Sequence, residues 1–253
     1  MNDFNLSEPI RLIAIDMDGT LLNDDMEIVK GNVEAIQNAM DAGIQVMIAT
    51  GRSMNVARRY IEQLGLNGPQ ITVNGGEVWD SPDQLIKRTN LETDDVAQLQ
   101  MLADKHDVWF WIYGSEGVFN KDKRPPKQTN QTWLKYGYYS TKADVLKEIW
   151  DELRAWGTFS LTNSSEDNIE VNPYGVNKGT AIQLVCERLN IPLSAVAALG
   201  DSLNDFAMIE TVGFGIAMGN AQDTLKKAAK WVTKSNLEAG VAFAIKRILE
   251  AQR

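Results

Sequence analysis

The chain has 253 residues, enough for one large α/β domain or for a core domain with a smaller insert. Its formal net charge of -9 argues against a general nucleic-acid-binding protein, which would normally carry a basic face. No apolar stretch reaches membrane-spanning length, and the polar segment at residues 1–8 lacks a secretion signal. We therefore expect a cytoplasmic protein that binds neither nucleic acid nor membranes.

The first predicted element is a buried strand at residues 12–15, which leads directly into Asp16-Met17-Asp18-Gly19-Thr20. Four consecutive apolar residues before a turn signal are typical of a strand buried on both faces of a parallel sheet. Open α/β folds bind ligands at the carboxyl ends of such strands. Two acids near a core repel each other unless a cation or a changed protonation state relieves them, so the pair indicates a site. The alternative is an exposed turn in which these residues only supply loop chemistry.

Strand and helix then alternate up to about residue 80, which favours parallel strands joined by right-handed crossovers. Gly43 ends the first predicted helix, and Ser53 can cap the second, which Gly65 ends. The predicted elements are helix 33–40, strand 44–49, helix 53–64 and strand 71–73.

The regular alternation of strand and helix stops near Ser81-Pro82 and returns after Asn172-Pro173. The intervening segment holds five of the seven tryptophans, several strand-like runs and two helical stretches, at residues 93–106 and 143–156. Alternation then resumes with helix 178–189, strands 196–199, 213–217 and 231–233, and helix 241–249. The predicted fold is a Rossmann-like, doubly wound parallel sheet core at residues 1–81 and 175–253, with an inserted α+β cap domain at residues 82–174.

Further polar groups follow other elements of the core. Thr50 and Gly51 come after the second strand, Lys178 opens a helix, and Asp201, Asn204 and Asp205 follow strand 196–199. Singly, Thr50 can be a capping hydroxyl, Lys178 a solvated charge, and Asp201 and Asp205 the acids of a helix entry. All four together at the strand ends of one parallel sheet point to a functional site.

This set suits phosphoryl transfer. Asp16, Asp201 and oxygen atoms near Asp18 would form a hard, oxygen-rich site for Mg²⁺. Thr50, Lys178 and Asn204 would supply donors and positive charge for a tetrahedral dianion. A carboxylate beside a metal-bound phosphoryl group can act as nucleophile, and this chemistry needs no histidine. The single histidine, His106, is expected to be exposed, and the single cysteine, Cys186, to be a buried inert thiol.

These motifs resemble those of the haloacid dehalogenase superfamily of phosphatases, and more narrowly the Cof-like sugar phosphatases with a type IIB cap. The matching elements are Asp16-Met17-Asp18-Gly19-Thr20, Ala49-Thr50-Gly51-Arg52, Asn177-Lys178-Gly179, Gly200-Asp201-Ser202-Leu203-Asn204-Asp205, Ala217-Met218-Gly219-Asn220-Ala221 and Ser235-Asn236.

The resemblance implies a role for each site residue. Asp16 would be the nucleophile and a metal ligand, and Asp18 would bind the metal through its backbone carbonyl and serve as general acid and then base. Thr50 and Lys178 would hold the phosphoryl oxygens. The remaining implied roles are a backbone N–H from Gly51, a pocket wall from Asn74, a third metal ligand from Asp201, a phosphate contact from Asn204 and support of the metal or of Lys178 by Asp205.

The predicted function is a magnesium-dependent phosphatase acting on a small phosphorylated metabolite, such as a sugar phosphate, through an aspartyl-phosphate. The open alternatives are a phosphomutase and a non-catalytic regulatory protein on the same scaffold. We expect a monomer or weak homo-oligomer whose cap selects the substrate. Candidate cap contacts are the basic segment 121–127 and the aromatic residues Trp109, Trp111, Tyr136, Tyr138 and Tyr139.

Overall fold

The computed structural model describes residues 4–125 and 131–252. The chain forms two compact units: a core unit, residues 1–87 and 177–253, and an inserted unit, residues 88–176. The predicted boundaries were residues 81/82 and 174/175. The first boundary of the structure lies later because Pro82 and Asp83 form the turn of a hairpin that belongs to the core unit.

The elements are numbered in chain order. The strands are β1 Leu12–Ile15, β2 Gln45–Ile48, β3 Gln70–Thr72, β4 Glu77–Ser81, β5 Gln84–Arg88, β6 Trp109–Gly114, β7 Gly117–Asn120, β8 Trp133–Tyr139, β9 Phe159–Thr162, β10 Asn168–Pro173, β11 Val196–Gly200, β12 Phe214–Ala217 and β13 Trp231–Val232. The α-helices are α1 Lys30–Asp41, α2 Met54–Gln63, α3 Thr93–Lys105, α4 Ala143–Trp156, α5 Lys178–Leu189, α6 Phe206–Thr211, α7 Asp223–Ala228 and α8 Gly240–Ala251.

A five-stranded parallel sheet, ordered β13-β12-β11-β1-β2, organises the core unit. Strand β1 lies in its interior, with Leu12 opposite Val196 on one side and Gln45 on the other. All residues of β1, β11 and β12 are buried, as the continuous apolar runs predict for strands covered on both faces. The predicted parallel α/β core is confirmed, and the carboxyl ends of β1, β2 and β11 meet at one edge.

The third predicted strand does not join this sheet as a regular member. β3 pairs antiparallel with β4, and β5 completes a separate three-stranded sheet. A single parallel bridge between Ala49 and Ile71 connects β3 to the end of β2. The turn between β4 and β5 is held by Arg58, which donates to the carbonyl of Pro82 and to Asp83, each at 2.7 Å.

Helices α5 and α8 each pack against another helix of the core unit. α5 packs on α6 and begins with a capping box in which Asn177 and Thr180 bond each other's backbone N–H groups; α8 packs on α1. Cys186 lies in α5 and is buried, as predicted, and burial raises the pKa of its thiol to about 11. No helix in the described part of the chain combines the length and the apolar character that crossing a membrane requires.

The inserted unit is an antiparallel sheet, ordered β7-β6-β8-β10-β9, with α3 and α4 packed against one face. Tyr136 and Tyr138 point to that face and are fully buried, so their prediction as ligand-stacking residues is wrong. The hydroxyl of Tyr138 donates a hydrogen bond to the carbonyl of Leu99 at 2.8 Å. Trp109 and Tyr139 retain 37% and 44% exposure.

His106 was predicted to be exposed, and this prediction is also wrong. It follows the last residue of α3, and its side chain is 12% exposed because it turns toward α4. Its Nδ1 lies 3.6 Å from Glu148. It belongs to the inserted unit and to the packing of α3 on α4.

Candidate active site

The segment after β1 is an irregular turn, Met17–Leu21, in which the chain reverses close to Asp16. The N–H of Leu21 donates to the carbonyl of Asp16 at 3.2 Å, which closes the turn. Gly19 has φ +74°, and a Cβ there would lie 2.4 Å from Oδ2 of Asp201. Glycine is therefore required for the turn after β1 to approach the turn after β11. Asn220 fixes it further by donating to the carbonyl of Gly19 at 2.8 Å.

Lys178 lies at the centre of the site and is fully buried. Its Nζ donates to Oδ1 of Asp16 at 2.5 Å and to Oδ1 of Asp205 at 2.6 Å. Burial alone would lower the pKa of Lys178, but the two adjacent carboxylates raise it overall. The side chain is therefore a fixed ammonium that orients the Asp16 carboxylate.

Asp205 is held from the side opposite to Lys178. Its Oδ2 accepts the backbone N–H groups of Asp201 and Ser202, at 2.9 and 3.2 Å. A Cβ at Gly200 would lie 2.4 Å from Cγ of Asp205, so the strand end needs glycine to admit this carboxylate. Asp205 thus supports Lys178 and shapes the loop that presents Asp201.

Three carboxylates crowd this edge of the sheet. One oxygen from each of Asp16, Asp201 and Asp205 lies within 4.8 Å of the others. Burial, followed by the charge of Asp205, raises the pKa of Asp16 well above its usual value and that of Asp201 to about 7. Lys178 neutralises only part of this charge. The donors are all hard oxygens, without thiol or imidazole, and they fit a divalent cation such as Mg²⁺.

Thr50 lies two residues after the end of β2 and is fully buried. Its hydroxyl accepts the backbone N–H of Arg52 at 3.1 Å, and its carbonyl accepts the N–H of Asn74 at 3.0 Å. Asn74 adopts φ +56° and is buried in the turn after β3. Gly75 brings this turn to the start of α5, since a Cβ there would meet the carbonyl of Asn177 at 2.4 Å.

The predicted site residues fall into groups with different contacts. Asp16, Lys178 and Asp205 form one hydrogen-bonded cluster, and Thr20 joins the turn after β1 to Asp201 through a 3.1 Å bond to its Oδ1. Thr50, Gly51 and Asn74 occupy the adjoining loops after β2 and β3. Asn204 is buried in the turn after β11, where its Oδ1 accepts the hydroxyl of Ser202 at 2.8 Å.

A contact between Asp18 and Arg52 was not predicted from the sequence. Arg52 Nε donates to Asp18 Oδ2 at 2.7 Å, and Nη2 donates to Asp18 Oδ1. The side chain of Asp18 is 45% exposed and that of Arg52 is 15% exposed. The sequence placed Arg52 in a motif beside Thr50, but nothing local indicated its partner.

The basic segment of the inserted unit is largely paired within that unit. Lys121 bonds Asp107 at 2.6 Å, and Arg124 forks onto Asp104 at 2.5 and 3.0 Å. Residues 126 and 127 of this predicted contact segment lie outside the described residues. Lys121 and Arg124 therefore pair with acids that lie on α3 or shortly after it.

A carboxylate fixed by a buried lysine at the carboxyl edge of a parallel sheet, with further acids around it, has the positioned charges that phosphoryl transfer uses. The family model described as haloacid dehalogenase-like hydrolase matches residues 13–155 and 127–245. The chain belongs to this family, and within it to the Cof group of phosphatases, as the motifs predicted. It is a phosphoric monoester hydrolase, which disfavours the non-catalytic alternative.

Relatives and solved structures cover almost the whole chain. The 5-amino-6-(5-phospho-D-ribitylamino)uracil phosphatase YcsE of Bacillus subtilis (strain 168) is 45% identical over 94% of this chain and 95% of its own. YwtE of the same organism, with the same named activity, is 31% identical over 96% and 99%. A haloacid dehalogenase-like hydrolase from B. subtilis superposes with a TM-score of 0.87 at 25% identity, covering 94% and 99%. The subclass IIB sugar phosphatase BT4131 shares the fold, with a TM-score of 0.80 at 22% identity over 93% and 98%.

Proposed function

We propose that the protein is a Mg²⁺-dependent phosphatase that hydrolyses a phosphate ester of a sugar or sugar alcohol through a phosphorylated Asp16. The observation that carries this proposal is the buried cluster in which Lys178 holds Asp16 beside Asp205, within reach of Asp201. In this proposal, Asp16 is the nucleophile, Asp201 and Asp16 contribute to the cation site, and Lys178 is the fixed positive charge, all at one edge of the sheet.

In the first step, the Asp16 carboxylate attacks phosphorus and the bond from phosphorus to the ester oxygen breaks. Asp18 gives its proton to the departing alcohol oxygen. In the second step, water attacks the phosphorus, Asp18 accepts a proton from that water, and the bond to Asp16 breaks to release inorganic phosphate. Asp16 is thereby regenerated.

Mg²⁺ would be held by the carboxylates of Asp16 and Asp201 and the backbone carbonyl of Asp18. When bound, it supplies positive charge that reduces the repulsion between a carboxylate nucleophile and an anionic phosphoryl group. The charge balance of the site supports this assignment, because one ammonium faces three clustered carboxylates.

The phosphoryl oxygens would be held by Thr50, the N–H of Gly51, Lys178 and Asn204, with Asn74 lining the pocket. The contacts of Thr50 support its role: its hydroxyl oxygen accepts the Arg52 N–H, so its own proton is available to a phosphoryl oxygen. Because every candidate ester shares this phosphoryl group, these contacts do not select among substrates.

The substrate is proposed from the relatives. Two of them, 45% and 31% identical to this chain, are named as phosphatases of 5-amino-6-(5-phospho-D-ribitylamino)uracil. We propose this compound as the first substrate to test, and phosphorylated pentoses, hexoses and their polyols as the wider class. All are primary or secondary alkyl esters whose leaving alcohol needs a proton.

The test measures phosphate release from this panel by wild-type protein, by Asp16→Asn and by Asp223→Asn, a control that removes an exposed carboxylate of the core unit. Asp16→Asn should lose several orders of magnitude in turnover, while Asp223→Asn stays close to wild type. Acid-quenched wild-type protein should carry a hydroxylamine-sensitive phosphoryl group during turnover. Wild-type turnover by Asp16→Asn would refute the covalent mechanism.

A further inference from the structure

The proposed mechanism assigns no role to Arg52, although its side chain binds Asp18 at both carboxylate oxygens. Nε bonds Oδ2 at 2.7 Å and Nη2 bonds Oδ1. A guanidinium that forks onto a carboxylate fixes the plane of that carboxylate as well as its position. A lysine would supply a point charge without this orientation.

The guanidinium of Arg52 also contacts two residues other than Asp18. Its Nη2 lies 3.2 Å from Sδ of Met26, and its central carbon lies 5.8 Å from the ring centre of Tyr60. Tyr60 is buried in α2 and donates its hydroxyl to the carbonyl of Met26 at 2.9 Å. Since Arg52 is less exposed than Asp18 and has these additional contacts, the arginine fixes the carboxylate rather than the reverse.

Arg52 also belongs to the loop proposed to hold the phosphoryl group. Its backbone N–H donates to the hydroxyl of Thr50 at 3.1 Å, and its carbonyl accepts the N–H of Val73 at 2.9 Å. One residue therefore connects a phosphate-holding hydroxyl with the carboxylate proposed as acid and base. We infer that Arg52 is a positioning residue that orients Asp18 for proton transfer to the leaving alcohol, an inference that rests on the proposed function.

This role predicts a dependence on the leaving group. An alkoxide departs from phosphorus only with a proton, whereas p-nitrophenolate is stable without one. General acid catalysis contributes about 10²- to 10⁴-fold, and misplacing a catalytic group can cost about 10²-fold. Arg52→Gln should therefore lower kcat/KM for an alkyl ester by about 10²-fold and leave that for p-nitrophenyl phosphate close to wild type.

The measured quantity is kcat/KM, because it covers only the steps up to phosphorylation of Asp16 and loss of the alcohol. Hydrolysis of the phosphorylated Asp16 is common to both esters and does not enter it. The esters are p-nitrophenyl phosphate and an alkyl phosphate that the wild-type protein hydrolyses, beginning with ribitol 5-phosphate. Activity of each variant on the aryl ester also shows that it is folded.

The variants separate positioning of Asp18 from general damage. Arg58→Gln is the matched control, since Arg58 also forms an arginine–carboxylate pair, with Asp83, but lies farther along α2. Arg52→Lys keeps the charge without the fork and should recover only part of the alkyl activity. The double variant Asp18→Asn with Arg52→Gln should be no slower on the alkyl ester than Asp18→Asn alone, because Arg52 acts through Asp18.

A selective loss on the alkyl ester, with this lack of additivity, supports the inference. Equal losses on both esters, additive losses in the double variant, or full activity of Arg52→Gln on the alkyl ester would overturn it while leaving the proposed function intact. Failure of the wild-type protein to release phosphate from either ester would refute the proposed function and the role of Arg52 together.

Discussion

Replacing Lys178 with methionine tests whether the site depends on one buried ammonium. Methionine is similar in length but carries no charge, so Asp16 and Asp205 would remain buried without their shared partner. In the present structure the ammonium is fully buried and bonds these carboxylates at 2.5 and 2.6 Å. Removing one member of a buried pair typically costs 3–5 kcal/mol, because the remaining charge is uncompensated. We expect the free energy of unfolding of the metal-free protein to fall by about 3–5 kcal/mol.

Urea denaturation of metal-free protein, followed by far-ultraviolet circular dichroism, measures this loss. The control is Lys147→Met: Lys147 is 76% exposed and bonds Asp151 at 2.6 Å, so its loss should cost less than about 1 kcal/mol. Adding Asp205→Asn to Lys178→Met removes one stranded charge and should restore part of the stability. Equal costs for Lys178→Met and Lys147→Met would refute the reasoning.

Three further predictions concern the cation site. Gly19→Ala should reduce both activity and thermal stability, because its Cβ would lie 2.4 Å from Asp201; Gly43→Ala, at φ +82° with nothing within 4 Å, controls for backbone strain alone, and equal effects would contradict the clash. A chelator should abolish activity and Mg²⁺ should restore it. Burial and the charge of Asp205 raise the pKa of Asp201 to about 7. The contribution of protonated Asp201 to the folding stability of the metal-free protein is therefore present at low pH and is lost as the pH rises through 7. Mg²⁺ should therefore raise the Tm more at pH 8 than at pH 5.5; a pH-independent shift would contradict this.

The sequence predicted the core sheet well because its signals are local. The apolar run before Asp16 and the run before Asp201 each mark a strand buried on both faces, and the acids mark where each strand ends. Parallel pairing then brings those ends together. The contact between Lys178 and Asp16 spans 162 positions; the sequence assigned both residues to one site but did not predict that they bond each other.

Other features have no local signal. Tyr136 and Tyr138 alternate with Lys135 on β8, and the alternation does not reveal which face the helices cover. Lys135 is buried with Glu170 at 2.8 Å, a pairing made by neighbouring strands 35 positions apart. The hairpin of β4 and β5 was missed because Pro82 was interpreted as a domain boundary, although proline also suits a tight turn. The fork of Arg52 onto Asp18 depends on side-chain direction, which spacing does not specify.

The interior position of β1 has a consequence for biosynthesis. β1 finds one neighbour, β2, soon after it leaves the ribosome, but its other neighbour, β11, begins only at Val196. At 5–20 residues per second, the nascent chain waits on the order of ten seconds or more with one edge of Leu12–Ile15 unpaired. The inserted unit, by contrast, is continuous in sequence and has all its strands before β11 exists. Asp16, the proposed nucleophile, is among the first residues synthesised, whereas Lys178 and Asp205 are among the later ones, so the cluster of these three residues cannot assemble on a growing chain until about four fifths of it has been made.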